Sequence, residues 1–200
     1  MHRQRSRLAT IPKWTRGWTR YHISVVAFFA TIAFGALLRG VMVINSGGWE
    51  VDTSIDLPYA PAQLWPIVSA ADQRVNWHAG VSDLIPLKKA DGGEKGSTYS
   101  IWYLRHPVTW RGKETVLQYV PGRLLVTYID SELDERNFSV ELKPQGNCLT
   151  RVRLTETVSP KNYWQRYRAI YNAFEEADRA ERSLSQLKRR AERQLQKCSG

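Results

Sequence analysis

Sulfur and imidazole are scarce in this chain: 200 residues hold two cysteines, two methionines and four histidines. Two cysteines, Cys148 and Cys198, make neither a zinc finger nor a disulfide framework. No Gly-rich phosphate loop, nucleophile–base constellation or metal-ligand spacing is present, so no metal and no cofactor is expected. The 13 Gly and 9 Pro follow no period, which excludes collagen-like and low-complexity chains. Apolar residues at 42% and charged residues at 24% exclude disorder. The most telling absence is of acid: no Asp or Glu precedes Glu50.

What is there is basic, with a formal net charge of +10. Residues 1–49 carry seven of the basic residues, Arg3, Arg5, Arg7, Lys13, Arg16, Arg20 and Arg39. Residues 50–158 hold 12 basic and 14 acidic residues, and residues 159–200 hold 10 and 5. A nucleic-acid-binding domain needs its basic excess on the folded surface. Here the globular middle is slightly acidic and the excess sits at the two ends, so no nucleic-acid partner is expected.

The N-terminal excess brackets an apolar run. Ile23–Leu38 is sixteen residues without a charge, and Val41–Ile44 resumes it after Arg39 and Gly40. At about 1.5 Å per residue, a helix over 23–44 reaches roughly 33 Å, enough for a ~30 Å hydrocarbon core. Arg39 lies near enough to the end to snorkel, and Trp14, Trp18 and Tyr21 suit an interfacial belt. A cleaved signal peptide is the rival reading. Against it, the basic leader is 22 residues long, and Phe34-Gly35-Ala36 is a poor small-x-small site. The expectation is a basic tail over 1–22, an uncleaved transmembrane anchor over 23–44 and a linker over 45–49. The positive-inside rule then puts the N-terminus in the cytoplasm and the folded domain, 50–198, outside it.

Beyond the linker the period changes to two. Trp49–Leu57 alternates as a half-buried strand, ended by Pro58 and Pro61. Pro61 suits the first turn of a helix through Gln63, Leu64, Trp65, Ile67 and Val68, and a second short helix is expected over Ala71–Trp77. Strands are then expected over Val81–Leu87, Ser97–Leu104, Val108–Val120, Leu124–Ile129, Phe138–Leu142 and Cys148–Val158. His106-Pro107 and Pro121-Gly122 break two of the joins, and Asp130–Glu135 reads as an acidic loop. From Ser159-Pro160 to about 197 a long helix is expected, with an apolar stripe through Tyr163, Tyr167, Ile170, Phe174, Ala177, Leu184, Leu187, Ala191 and Leu195. Lys188, Arg189, Arg190 and Arg193 surround its second half, as a solvated face or one that meets anionic headgroups.

That order, one strand, two short helices, six strands and a long closing helix, resembles the helix-grip fold of the START-like (SRPBCC) superfamily. The group includes the polyketide cyclase/dehydrase-like and birch-pollen-allergen-like proteins. The stretches that carry the resemblance are Ile55-Asp56-Leu57-Pro58-Tyr59-Ala60-Pro61-Ala62-Gln63-Leu64-Trp65, Ala71–Trp77, Tyr119-Val120-Pro121-Gly122-Arg123-Leu124 and the helix end from Leu184 to Glu192. They span residues 50–195, and their order is more specific than any one of them. The resemblance implies an α+β fold, a curved antiparallel sheet gripping the last helix with an apolar cavity between.

Lining for such a cavity is expected from Tyr99, Ile101, Tyr103, Trp110, Val116, Tyr128, Phe138, Val140, Tyr167 and Phe174. A hydrophobic small molecule or lipid suits it. The titratable candidates for chemistry are His78, His106, Glu114, Asp130 and Glu156. Glu114 and Glu156 share strand faces with apolar residues and are the two inward candidates for a base, or for pairing with an arginine. His78 and His106 are expected to be exposed or capping. A Cys148–Cys198 disulfide stays open for a domain outside the cytoplasm. Three functions are therefore in play: binding or shuttling of an apolar ligand at a membrane, a cyclase/dehydratase-like reaction, and a non-catalytic partner-binding module in the envelope.

Overall fold

Alternation of apolar and polar residues makes seven strands, and they form one antiparallel sheet. The computed structural model describes residues 13–45, 48–91, 94–105 and 108–196, side chains in parts of the first and last helices excepted. In chain order the elements are α1 (Lys13–Asn45), β1 (Trp49–Leu57), α2 (Pro61–Ser69), α3 (Ala71–Arg74), β2 (Val81–Lys88), β3 (Thr98–Arg105), β4 (Val108–Val120), β5 (Leu124–Ser131), β6 (Asp134–Pro144), β7 (Thr150–Pro160) and α4 (Tyr163–Gln194). The sheet order is β1-β7-β6-β5-β4-β3-β2, so α2 and α3 carry the chain from one edge to the other. Two compact units result, Met1–Met42 and Val43–Gly200.

In the first unit α1 covers the apolar run. Val26, Phe28, Phe29, Ile32, Phe34, Leu37 and Leu38 are all exposed, between 45% and 66%. Among the described residues no helix is long and apolar enough to cross a membrane. The side chains of Ile23, Arg39 and Val43, part of the expected 23–44 span, lie outside that set.

In the second unit the inner face of the sheet is apolar. Leu125, Ile129, Phe138, Val140, Leu142, Val152 and Leu154 are buried to 1% or less. Register brings them side by side, Val140 against Leu154 and Leu142 against Val152. Leu64, Trp65, Ile67 and Val68 of α2 close one end of this core, and Trp77 donates from Nε1 to the Ile67 carbonyl at 2.9 Å. Ala180, Leu184, Leu187 and Ala191 of α4 complete it.

Three local expectations are corrected. Asp130–Glu135 is not a loop: β5 runs to Ser131 and β6 starts at Asp134, joined by Glu132 and Leu133 alone. Ser131 Oγ holds that turn, donating to the Asp134 carbonyl at 2.9 Å and accepting from the Asp134 amide at 3.0 Å. The last helix starts not at Pro160, which still pairs with Asp134 in the sheet, but after Asn162, whose side chain caps the Gln165 amide at 3.0 Å. The inward face of α4 is also not the purely apolar stripe. Glu176, Arg179 and Ser183 are buried on it, while Phe174 is 72% exposed.

Gly112 occupies an inward position of β4 where a side chain would be crowded. A Cβ there would lie 3.1 Å from the Asp130 carbonyl oxygen and 3.1 Å from Cγ2 of Ile129. Gly112→Ala is therefore expected to destabilise the domain by about 1–3 kcal/mol, read as a lower urea midpoint. An unchanged midpoint would mean that β4 and β5 part freely at this point.

Candidate functional site

The inner face of the sheet carries charge as well as apolar surface. On β4, Trp110, Gly112, Glu114 and Val116 alternate inward, which places Glu114 among rings at 1% exposure. It meets Arg74 at the end of α3 in a two-pronged pair, Nη1–Oε1 at 2.6 Å and Nη2–Oε2 at 2.9 Å. Burial opposes the charge on Arg74, but the Glu114 carboxylate outweighs it and holds the guanidinium above its ordinary pKa. The pair is fully desolvated, so removal of either partner strands the other.

A second, larger network surrounds Arg136. The parity that puts Phe138, Val140 and Leu142 inward also puts Asp134 and Arg136 inward. Arg136 donates to Asp134 at 3.1 and 2.7 Å, to Glu156 of β7 at 2.8 Å, and to Glu176 of α4 at 3.3 and 3.4 Å. Arg179 closes the chain on Glu176 at 2.6 Å. Burial opposes the Arg136 charge, and the Glu176, Glu156 and Asp134 carboxylates raise its pKa well above the usual value. The guanidinium also lies over two rings, 4.9 Å from Trp110 and 5.4 Å from Tyr103. Those rings stack on each other across the β3–β4 pairing, with centroids 4.3 Å apart and planes 11° apart.

His78 is not exposed or capping, as expected, but 4% exposed and stacked on Phe138 at 4.4 Å. The turn after α3 swings Trp77 and His78 together into the core. Burial, then the positive charge of Arg74, lowers its pKa from 6.5 to about 3. His106 lies outside the described residues.

The expected cavity residues divide. Ile101, Tyr103, Trp110, Val116, Phe138 and Val140 come together on the inner face. Tyr99 lies at its margin, half-buried, its phenol donating to Glu94 at 2.9 Å; burial and that bond push its pKa up to about 12. Tyr128 is on the other side of the sheet, since Thr127 and Ile129 take the inward positions of β5. Phe174 faces outward, and the Tyr167 side chain lies outside the described residues. Asp130 is exposed and pairs with Lys161. Cys148 is half-buried before β7, and Cys198 lies outside the described residues.

Sequence reading missed Arg74, Arg136, Glu176 and Arg179. For Asp134 and Arg136 a signal existed, the alternation of Phe138–Leu142 continued backwards. For Arg74 and Glu176 the partner lies 40 positions away and no local pattern announces it, and Arg179 pairs with Glu176 one turn along the same helix.

Three of the hollows lined by described residues open to the surface. The largest of these three, about 580 Å³, lies among Asn76, Gln186, Arg189, Glu192 and Arg193. Another, about 510 Å³, runs along Leu87, Arg111, Lys113 and Lys161, and the third, about 450 Å³, separates Ile67 and Gln73 from Leu195. None of the three is lined by Tyr103, Trp110 or Phe138. Lys188, Arg189 and Arg193 are exposed, while Arg190 donates to Gln73 at 2.8 and 3.2 Å. No group of three or more His, Cys, Asp or Glu among the described residues is placed to hold a metal ion.

His78 makes acid sensitivity measurable. Unfolded, it takes a proton near pH 6.5; folded, it resists down to about 3. The unfolded state therefore binds more protons within that window, and stability falls as pH drops through it, by up to about 1.4 kcal/mol per pH unit. His78→Phe keeps a ring against Phe138 and is expected to flatten this fall, measured as urea midpoints from pH 7 to 4. An identical slope in the variant would show that His78 protonates freely in the fold.

Comparison with known proteins places this architecture. No curated protein sequence matches the chain. Solved structures match at the level of fold. The Zhui aromatase/cyclase from a Streptomyces species aligns with a TM-score of 0.60 at 10% identity, over 76% of this chain and 99% of that one. A protein from Thermus thermophilus aligns with a TM-score of 0.59 at 14% identity, over 71% and 96%. Norcoclaurine synthase from Thalictrum flavum, in complex with dopamine and hydroxybenzaldehyde, aligns with a TM-score of 0.55 at 10% identity, over 75% and 90%. The family model described as polyketide cyclase / dehydrase and lipid transport matches residues 48–192. The helix-grip sheet and closing helix are thus matched by a sequence model across nearly their whole length, and the chain belongs to that family, within the START-like (SRPBCC) superfamily.

Proposed function

We propose that this chain binds a hydrophobic small molecule or lipid between the sheet and α4, and that α1 holds the site at a membrane. The inner wall carries this reading. Tyr103 and Trp110 present one stacked aromatic surface, and His78 and Phe138 present another beside it. Rings arranged this way receive flat or apolar molecules. Among the described side chains of α4, Glu176, Ala180, Leu184, Leu187 and Ala191 are buried, whereas Phe174 faces outward. A protein of the same fold holds dopamine and hydroxybenzaldehyde, and the family description includes lipid transport.

The cyclase-like alternative has less behind it. A base needs a carboxylate free to take a proton. Glu114 and Glu156 each already accept from a buried arginine, at 2.6 and 2.8 Å. The membrane part is supported by the exposed apolar side chains of α1 and by six Lys or Arg before residue 23 with no acid among them. The same asymmetry supports a cytoplasmic N-terminus with the domain on the far side.

Two experiments test the proposal. Full-length protein incubated with a total lipid extract, repurified and analysed by native mass spectrometry is expected to carry a retained apolar ligand. A spectrum of bare protein under conditions that keep a control lipid carrier loaded would refute the binding half. For the anchor, the full chain is expected to stay with membranes in alkaline carbonate and to be cut by protease added to spheroplasts. Carbonate release would remove the anchor, and complete protease protection would reverse the orientation.

A further inference from the structure

The buried wall has polar atoms that no described residue satisfies. Tyr103 Oη and Trp110 Nε1 are both inaccessible to solvent and without a hydrogen-bond partner. They belong to the same stacked pair, on adjacent strands, with the Arg136 guanidinium over both rings. A buried polar group left unpaired costs roughly 1–3 kcal/mol, so two in one stack ask for a partner that the described residues do not supply.

The chemistry of that partner follows from the donors and from the charge around them. An indole N–H only donates. The Tyr103 phenol keeps its proton, because burial and then the neighbouring Glu156 push its pKa well above the ordinary value. Both groups therefore call for an acceptor. The buried charged set around them is Arg74, Arg136 and Arg179 against Glu114, Asp134, Glu156 and Glu176, three positive against four negative. The guanidinium over the rings is already engaged by Asp134, Glu156 and Glu176, so it offers no free charge to an anion. An anionic headgroup would be desolvated beside a surplus of carboxylate, which is unfavourable.

We infer that Tyr103 and Trp110 form the polar subsite of the ligand compartment, and that it takes an uncharged apolar molecule through one accepting oxygen, of the ketone, ester or quinone kind, in preference to a fatty-acid anion or a phosphate. This rests on the binding proposed above and specifies its ligand. The apolar body lies along the rings, and the oxygen accepts from Tyr103 Oη and Trp110 Nε1. The ion-paired arginines fix the wall, and the carboxylates that hold them disfavour an acid.

The test uses the full chain, immobilised in mild detergent and incubated with equal amounts of 2-tridecanone, tridecanoate and tridecane. After washing, retained ligand is extracted and measured by gas chromatography–mass spectrometry against protein-free resin. The wild type is expected to retain the ketone about tenfold over tridecanoate at neutral pH. Tyr103→Phe and Trp110→Phe are each expected to lower ketone retention roughly fivefold and to leave tridecane retention unchanged. Tyr103→Phe loses a polar atom without a partner and keeps its ring, so its melting temperature is expected to match or exceed that of the wild type. Equal retention of ketone and tridecanoate would overturn the inference. So would ketone retention that neither variant alters, the result expected if a buried water alone satisfies the donors. A clear fall in the melting temperature of Tyr103→Phe would show its hydroxyl already engaged and would overturn it too. If none of the three probes exceeds the resin background, the binding proposal itself fails, which is distinct from tridecane being retained without preference for the ketone.

Discussion

A guanidinium buried to 1% exposure, that of Arg136, sets much of the geometry of this domain. An arginine cannot shed its charge to suit an apolar interior, so the fold has to bring carboxylates to it. It takes one from its own strand, Asp134, one from β7, Glu156, and one from α4, Glu176. Each has a structural consequence. Asp134 must face inward, so the β5–β6 connection tightens to two residues instead of a loop. Glu176 must face inward, so α4 turns a polar rung toward the sheet where its hydrophobic pattern would place an apolar one. Arg179 follows Glu176 into the interior and lies against Gly80, where a Cβ would sit 3.1 Å from its Cδ. Gly80 also has φ +91°, so both the space and the backbone there require glycine.

The Arg74–Glu114 pair repeats the logic at the other end of the inner face, tying the short α3 to β4. Between the two networks lies His78, neutral and stacked. Two arginines that cannot deprotonate, fixed in place by carboxylates, leave the imidazole in a positive field from Arg74, which with burial keeps it uncharged. Arg74 and Arg136 thus stay charged and His78 neutral near neutral pH.

The parts of the fold legible in the sequence are those that depend on short-range periodicity. Trp49–Leu57 and Val108–Val120 were readable to the residue, because alternation and flanking Pro or turn residues are local signals. The seven-strand order with two inserted helices followed from the same signals. What could not be read was anything decided by a partner far along the chain. Asp130–Glu135 looks like a loop because it is acidic, and only the position of Arg136 reveals why Asp134 is buried. The stripe through Phe174 looks like the inward face of the last helix, and only the demand for Glu176 and Arg179 rotates the contact away from it. Glu114 and Glu156 were legible as inward by parity, but the arginines that hold them were not, since Arg74 comes from a helix with no pattern of its own.

The same distinction separates the two faces of the sheet. On the outer face Arg153 pairs with Asp52 and Arg151 with Asp56, at 2.5 and 2.8 Å, but all four side chains are 40% or more exposed. Such pairs are screened by water and contribute little beyond keeping β1 and β7 in register. The inner pairs use the same residue types in a medium where an unmatched charge is not tolerated, so they constrain the backbone around them. The net charge of +10 is in this respect misleading. It is set by the two ends of the chain, whereas the geometry of the candidate site depends on seven buried charges, Arg74, Glu114, Asp134, Arg136, Glu156, Glu176 and Arg179, that nearly cancel.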